Sequence, residues 1–168
     1  RSHERASARH AARTGQPAGP IVRLDTNEHG FNAYLPDAVY NSITREYLVV
    51  WQTETVATHT EILVQRYAAS TLQPLLAQPR QVSAMGGLAD LNFSARVPSV
   101  AFNPDNNQYL VAWVGSDSRL GMTEAQNDVF IQRVAGSDAS EVGFDDRRIS
   151  TASSEDETRG VGTISGVD

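Results

Sequence analysis

Cysteine and lysine are both missing from the 168 residues, and no long apolar run occurs. Without cysteine the chain has no disulfide and no thiolate-held metal. All 14 basic side chains are arginine, which stays charged, so Schiff-base chemistry and a lysine general base are excluded as well. No stretch reaches the roughly 18 apolar residues that a membrane-crossing helix needs, so no membrane span is expected. The balance of 14 basic against 20 acidic residues gives a net charge of −6. That charge opposes binding to polyanions, and nucleic acid is not an expected partner.

Catalytic signatures are equally scarce. The four histidines, His3, His10, His29 and His59, contain no i, i+4 pair of the kind that grips zinc on a helix. The Gly-x-Ser-x-Gly nucleophile pattern does not occur. The reading is therefore of a protein that is not an enzyme.

What is present is internal similarity. "PDAVYN" (36–41) matches "PSVAFN" (98–103), and "YLVVW" (47–51) matches "YLVAW" (109–113). "ILVQRYA" (62–68) matches "VFIQRVA" (129–135), and "RQVS" (80–83) matches "RRIS" (147–150). The offset is 62 for the first two blocks (36 to 98) and 67 for the last two (65 to 132), so five residues are inserted between blocks, where a loop tolerates them. Each block is short, rich in Val, Ile, Leu and aromatics, and bounded by turn residues such as "NPDNNQ", which predicts a strand. "YLVVW" is apolar throughout, as a strand covered on both faces would be. A four-stranded antiparallel unit follows, written twice.

One such sheet cannot bury both faces alone, and stacking copies about an axis solves the problem. The four blocks resemble the β-propeller blade repeats of large secreted or surface-attached bacterial proteins, over roughly residues 36–83 and 98–150. The resemblance implies an all-β fold with two four-stranded antiparallel propeller-like blades, within a larger ring or one completed by an oligomer, since propellers close with four to eight blades. It places blade 1 at 36–97 and blade 2 at 98–151. Residues 21–35 carry the rim strand of a preceding blade, "GPIVRLD" (19–25), and a connection; 152–168 start a further blade or form a tail. Residues 1–20, with four arginines and one glutamate, read as a flexible arginine-rich arm. The chain begins at Arg1, as a processed chain or a piece of a longer one would.

The implied role is a structural or interaction module, extracellular or at the cell surface, binding further copies of itself or other protein subunits. Two alternatives stay open. A carbohydrate-binding module would take glycans through loops 53–60 and 115–127, with Trp51 and Trp113 able to stack on sugars. A fragment of a propeller hydrolase would need paired carboxylates, yet Asp37 is the sole acid in an inner-strand block and its counterpart is Ser99. Tyr47, Trp51, Tyr109 and Trp113 are expected as packing residues. Arg66 and Arg133 are expected to pair with a neighbouring acid or loop carbonyl. No cofactor is expected beyond a candidate calcium site at Asp117, Glu124 and Asp128, whose hard oxygens suit that ion although the spacing fits no EF-hand.

Overall fold

The computed structural model describes residues 7–11, 17–23, 32–56, 59–87 and 90–151. Ten strands run in chain order: β1 (Ser7–Ala11), β2 (Pro17–Arg23), β3 (Ala33–Asn41), β4 (Glu46–Val56), β5 (His59–Ala68), β6 (Arg80–Gln81), β7 (Ala95–Asn103), β8 (Gln108–Gly115), β9 (Asp128–Ala135) and β10 (Glu141–Arg148). The described residues are all-β apart from a 3₁₀ turn at Ser118–Leu120. The strands form a two-stranded sheet β1-β2 and two four-stranded sheets, β3-β4-β5-β6 and β7-β8-β9-β10. All pairings are antiparallel.

Local chemistry sets the hairpins. Asn41 Oδ1 accepts from the Ile43 and Thr44 backbone N–H at 2.9 and 3.1 Å, and Asn103 Oδ1 accepts from Asp105 N–H at 2.9 Å. Such asparagine turns reverse the chain between β3 and β4 and between β7 and β8. Left-handed backbone recurs at matching places: Leu35 and Val97 (φ 48° and 54°), Arg45 and Asn107 (57° and 51°), Leu72 and Ala139 (56° and 58°). Both first strands are bulged, between Tyr34 and Asp37 and between Arg96 and Ser99.

The core lies between the two larger sheets. Leu48, Val50, Ile62, Val64 and Val82 of the first sheet meet Tyr109, Val111, Trp113, Phe130 and Val134 of the second. The Trp113 and Phe130 rings stack with centroids 6.3 Å apart. The opposite face of the first sheet carries Tyr47, Val49, Trp51, Leu63 and Tyr67, and Ala8 and Val22 of the β1-β2 hairpin pack against it.

Of the arm expected over residues 1–20, residues 1–6 and 12–16 lie outside the described residues, and Ser7–Ala11 pairs with Pro17–Arg23, Ala8 and Val22 packing on the first sheet. The "YLVxW" strands were expected to be covered on both faces. That holds for β4, whereas Leu110 of β8 is 41% exposed, because the second sheet has only the first sheet against it among the described residues. Residues 24–31, within the expected rim strand and connection, and 152–168, the expected further blade or tail, lie outside the described residues.

Candidate functional site

An acid stands near the start of the third strand of each larger sheet, Glu61 third in β5 and Asp128 first in β9. Glu61 and Asp128 are each 1% exposed, so both need partners within the protein. A serine two residues past the end of the fourth strand supplies one. Ser83 Oγ accepts from the Ile62 backbone N–H at 2.8 Å and donates to Glu61. Ser150 Oγ accepts from Val129 N–H at 2.8 Å and donates to Asp128 Oδ1 at 2.7 Å. Beside them Val82 N–H donates to Ile62 O at 2.9 Å and Ile149 N–H to Val129 O at 2.8 Å. This geometry explains why both sheets end in an apolar residue followed by serine.

The two latches then diverge. In the second sheet Arg148 forms an ion pair with Asp128. Gln81 holds the corresponding place in the first sheet and turns to Ser83 O at 2.6 Å. Glu61 is left with the Met85 backbone N–H at 2.9 Å and with His59, whose Nε2 lies 3.2 Å away without hydrogen-bond alignment. Burial pushes the Glu61 carboxyl up to about 8, against the opposing pull of the Ser83 and Met85 hydrogen bonds. Burial also holds the His59 imidazole below its usual value, and its Nδ1 meets the Thr55 hydroxyl.

A polar seam continues from Glu61 along the sheet boundary. The 3₁₀ turn is capped by Asp117, which accepts from Arg119 N–H at 2.9 Å and so brings the Arg119 guanidinium back over itself. Arg119 Nη2 also donates to Asp146 Oδ2 at 2.9 Å and to Ala84 O at 2.7 Å. Asp146 Oδ2 accepts from Ala84 N–H at 3.1 Å. Thus Asp146 of β10 and Arg119 of the 3₁₀ turn clamp the β6–β7 connection through both backbone groups of Ala84. Burial and the neighbouring Asp145 charge push Asp146 up to about 6, with Arg119 pulling the other way.

An acid protonated near neutrality, a neutral imidazole and a hydroxyl are the ingredients of acid–base chemistry. Here, however, the Ser83 hydroxyl both donates and accepts across two strands, so its place in the fold is that of a fastener. The seam ties the sheets together.

The sequence-derived candidates are distributed as follows. Trp51, Trp113 and Tyr109 are each 1% exposed, which leaves neither indole open for a sugar. Burial pushes the Tyr109 phenol up to about 12, and its oxygen accepts from Asn41 Nδ2 at 3.0 Å. Tyr47 is half-buried, 5.4 Å from the Tyr40 ring. Arg66 grips Glu46 with two hydrogen bonds of 2.8 Å and donates to Ser137 O of the other sheet. Arg133 is exposed and lies beside Gly143, whose φ is 89°. At the calcium candidates, Asp117 pairs with Arg119, Asp128 with Arg148 and Ser150, and Glu124 is exposed. Among the described residues no group of three or more metal-binding side chains forms.

Sequence reasoning missed Glu61, Ser83, Arg119 and Asp146 as a set. The signal for the first pair was present, since Glu61 and Asp128 each precede the third matched block and the fourth block ends in serine in both copies. Among the described residues no helix is long and apolar enough to cross a membrane. No family model, curated protein or solved structure matches the chain.

Proposed function

We propose that the chain is a non-enzymatic structural and interaction module, two blades of a β-propeller-type repeat protein that stack head to tail and associate with further protein. The observation that carries this reading is the identity of the packed faces. The Leu48-Val50 side of the first sheet meets the Tyr109-Val111-Trp113 side of the second, while the Tyr47-Val49-Trp51 side of the first takes the hairpin. Each sheet thus turns the same side forward, which is how blades follow one another around an axis.

The hairpin supports the same reading. Ser7 pairs with Arg23, Val64 with Arg80 and Ile131 with Arg147, each over a span of sixteen residues (7 to 23, 64 to 80, 131 to 147). β1 and β2 therefore correspond to the outer two strands of a preceding blade. Placement outside the cytoplasm rests on the resemblance of the four blocks to secreted and surface repeats. Native mass by light scattering tests the association. Assemblies at multiples of 18.2 kDa are expected, and a single chain at every concentration would overturn it.

One observation favours a glycan-binding second reading. A cavity of about 530 Å³ between the hairpin and the first sheet is lined by Tyr47, Tyr67, Asp37 and Arg9, among others. Glycan-array binding that is lost in Tyr47→Ala would establish that reading in place of the first.

A further inference from the structure

The second sheet keeps an apolar surface that nothing among the described residues covers. Leu48, Val50, Ile62, Val64 and Val82 are all 0% exposed at the boundary between the sheets. Their counterparts on the outer side of the second sheet are Leu110, Ala112, Val129, Ile131 and Ile149. Leu110 is 41% and Ile149 55% exposed, and the other three are half-buried. Strand pairing sets Leu110 opposite Arg133, Ala112 opposite Ile131 and Val114 opposite Val129, so these side chains share one face. A sheet face this apolar is an interaction surface.

What fits it is already present in the chain. The first sheet's equivalent face is covered by a Tyr-x-Val-x-Trp row, Tyr109, Val111 and Trp113, and β4 presents the same row as Tyr47, Val49 and Trp51. The polar contacts can be carried over too. Asn41 Nδ2 donates to Tyr109 OH at 3.0 Å, and Arg66 donates to Ser137 O across the same boundary. Their counterparts, Asn103 and Arg133, are both exposed at the open face. Tyr47 and Ser70 stand where Tyr109 and Ser137 do.

We propose that the outer face of the second sheet docks a second copy of this chain, head to tail, against that copy's Tyr47-Val49-Trp51 face. Asn103 then donates to the partner copy's Tyr47 and Arg133 to its Ser70 carbonyl. In the docked copy the β1-β2 hairpin gives way, and its fit favours that exchange: small Ala8 and Val22 leave the 530 Å³ cavity over Tyr47, Val49 and Tyr67. The contact is heterologous, so it propagates until a ring closes or continues as a filament. This inference rests on the stacking reading above.

The absence of cysteine makes a site-directed test direct. The doubly substituted chain Arg133→Cys/Ser70→Cys, treated with a short bis-maleimide, is expected to give a ladder of cross-linked chains. Neither single variant gives a ladder, and Ile131→Glu added to the double variant abolishes it while circular dichroism stays unchanged. The internal pair Arg66→Cys/Ser137→Cys serves as control and is expected to cross-link within one chain. If the control links but no ladder forms, docking is overturned and the stacking reading stands. If the control keeps the circular dichroism of the unsubstituted chain and still fails to link, the stacking reading falls with it. A ladder that survives Ile131→Glu would show association through another face and would also overturn the proposal.

Discussion

The two larger sheets are built alike but buried differently. Leu48 and Leu110 follow tyrosine in matched strands, one 0% and the other 41% exposed. Glu61 and Asp128 are latched by serine in the same way, yet only Asp128 has an arginine. Arg66 and Arg133 both follow glutamine, yet only Arg66 has an acid opposite, since Glu46 is replaced by Gln108 at the matching position of β8. The lesson is that pattern conserves the strand and its hydrogen bonds, while the layer against it decides what each side chain contributes.

The comparison is broken most strongly by truncating the matched leucines. Leu48→Ala is expected to cost about 2–5 kcal/mol in urea unfolding, as for a fully packed core position. Leu110→Ala in the isolated chain is expected to cost under about 1 kcal/mol, as at a partly exposed site. Equal losses would mean that the outer face of the second sheet is covered in solution.

Removing one partner of a buried ion pair comes next. Arg66→Ala strands Glu46, which is 2% exposed, and is expected to cost about 3 kcal/mol. Arg133→Ala, with no matching acid to strand, is expected to change stability by less than about 0.5 kcal/mol. Chemical denaturation of the two variants side by side reads the difference directly.

The smallest effect sharpens the contrast between the acids. Glu61 titrates near 8 when folded, well above its ordinary value near 4.5. The folded state therefore binds its proton more tightly than the unfolded chain does. The stability contributed by the proton is fully present below the unfolded value and is lost as pH rises through about 8. Between these limits the slope from this group is about −1 kcal/mol per pH unit. Asp146, raised to about 6, adds a slope of the same sign between its ordinary value and about 6. Glu61→Gln is expected to flatten the dependence between pH 6 and 8, read as thermal midpoints across that range. An unchanged slope would mean that Glu61 is ionised within the fold.

Much of the fold was legible because strand pairing is local. Alternation, β-branched residues and asparagine turns act within ten or so positions, and the matched blocks fixed the order of the strands and the offset between them. Trp51, Trp113 and Tyr109 read as packing residues for the same reason, and they are buried. The wider polar seam was not legible, because Arg119 and Asp146 from the second sheet's side reach Ala84, beside the Glu61–Ser83 pair of the first, only when the sheets face each other. The pairing of the calcium candidates was not legible on the same ground: acidic spacing along a loop does not reveal that an arginine of another strand pairs with Asp128.

By itself the sequence determined the all-β class, the two four-stranded units and the buried aromatic rows. Those follow from side-chain shape and from backbone hydrogen bonds between strands adjacent in the chain. Only the tertiary structure decided which face of each sheet is covered, which of two matched acids is paired with an arginine and which arginine is left at the surface. Burial and charge depend on what lies across a sheet, and that neighbour is never the adjoining residue in the chain.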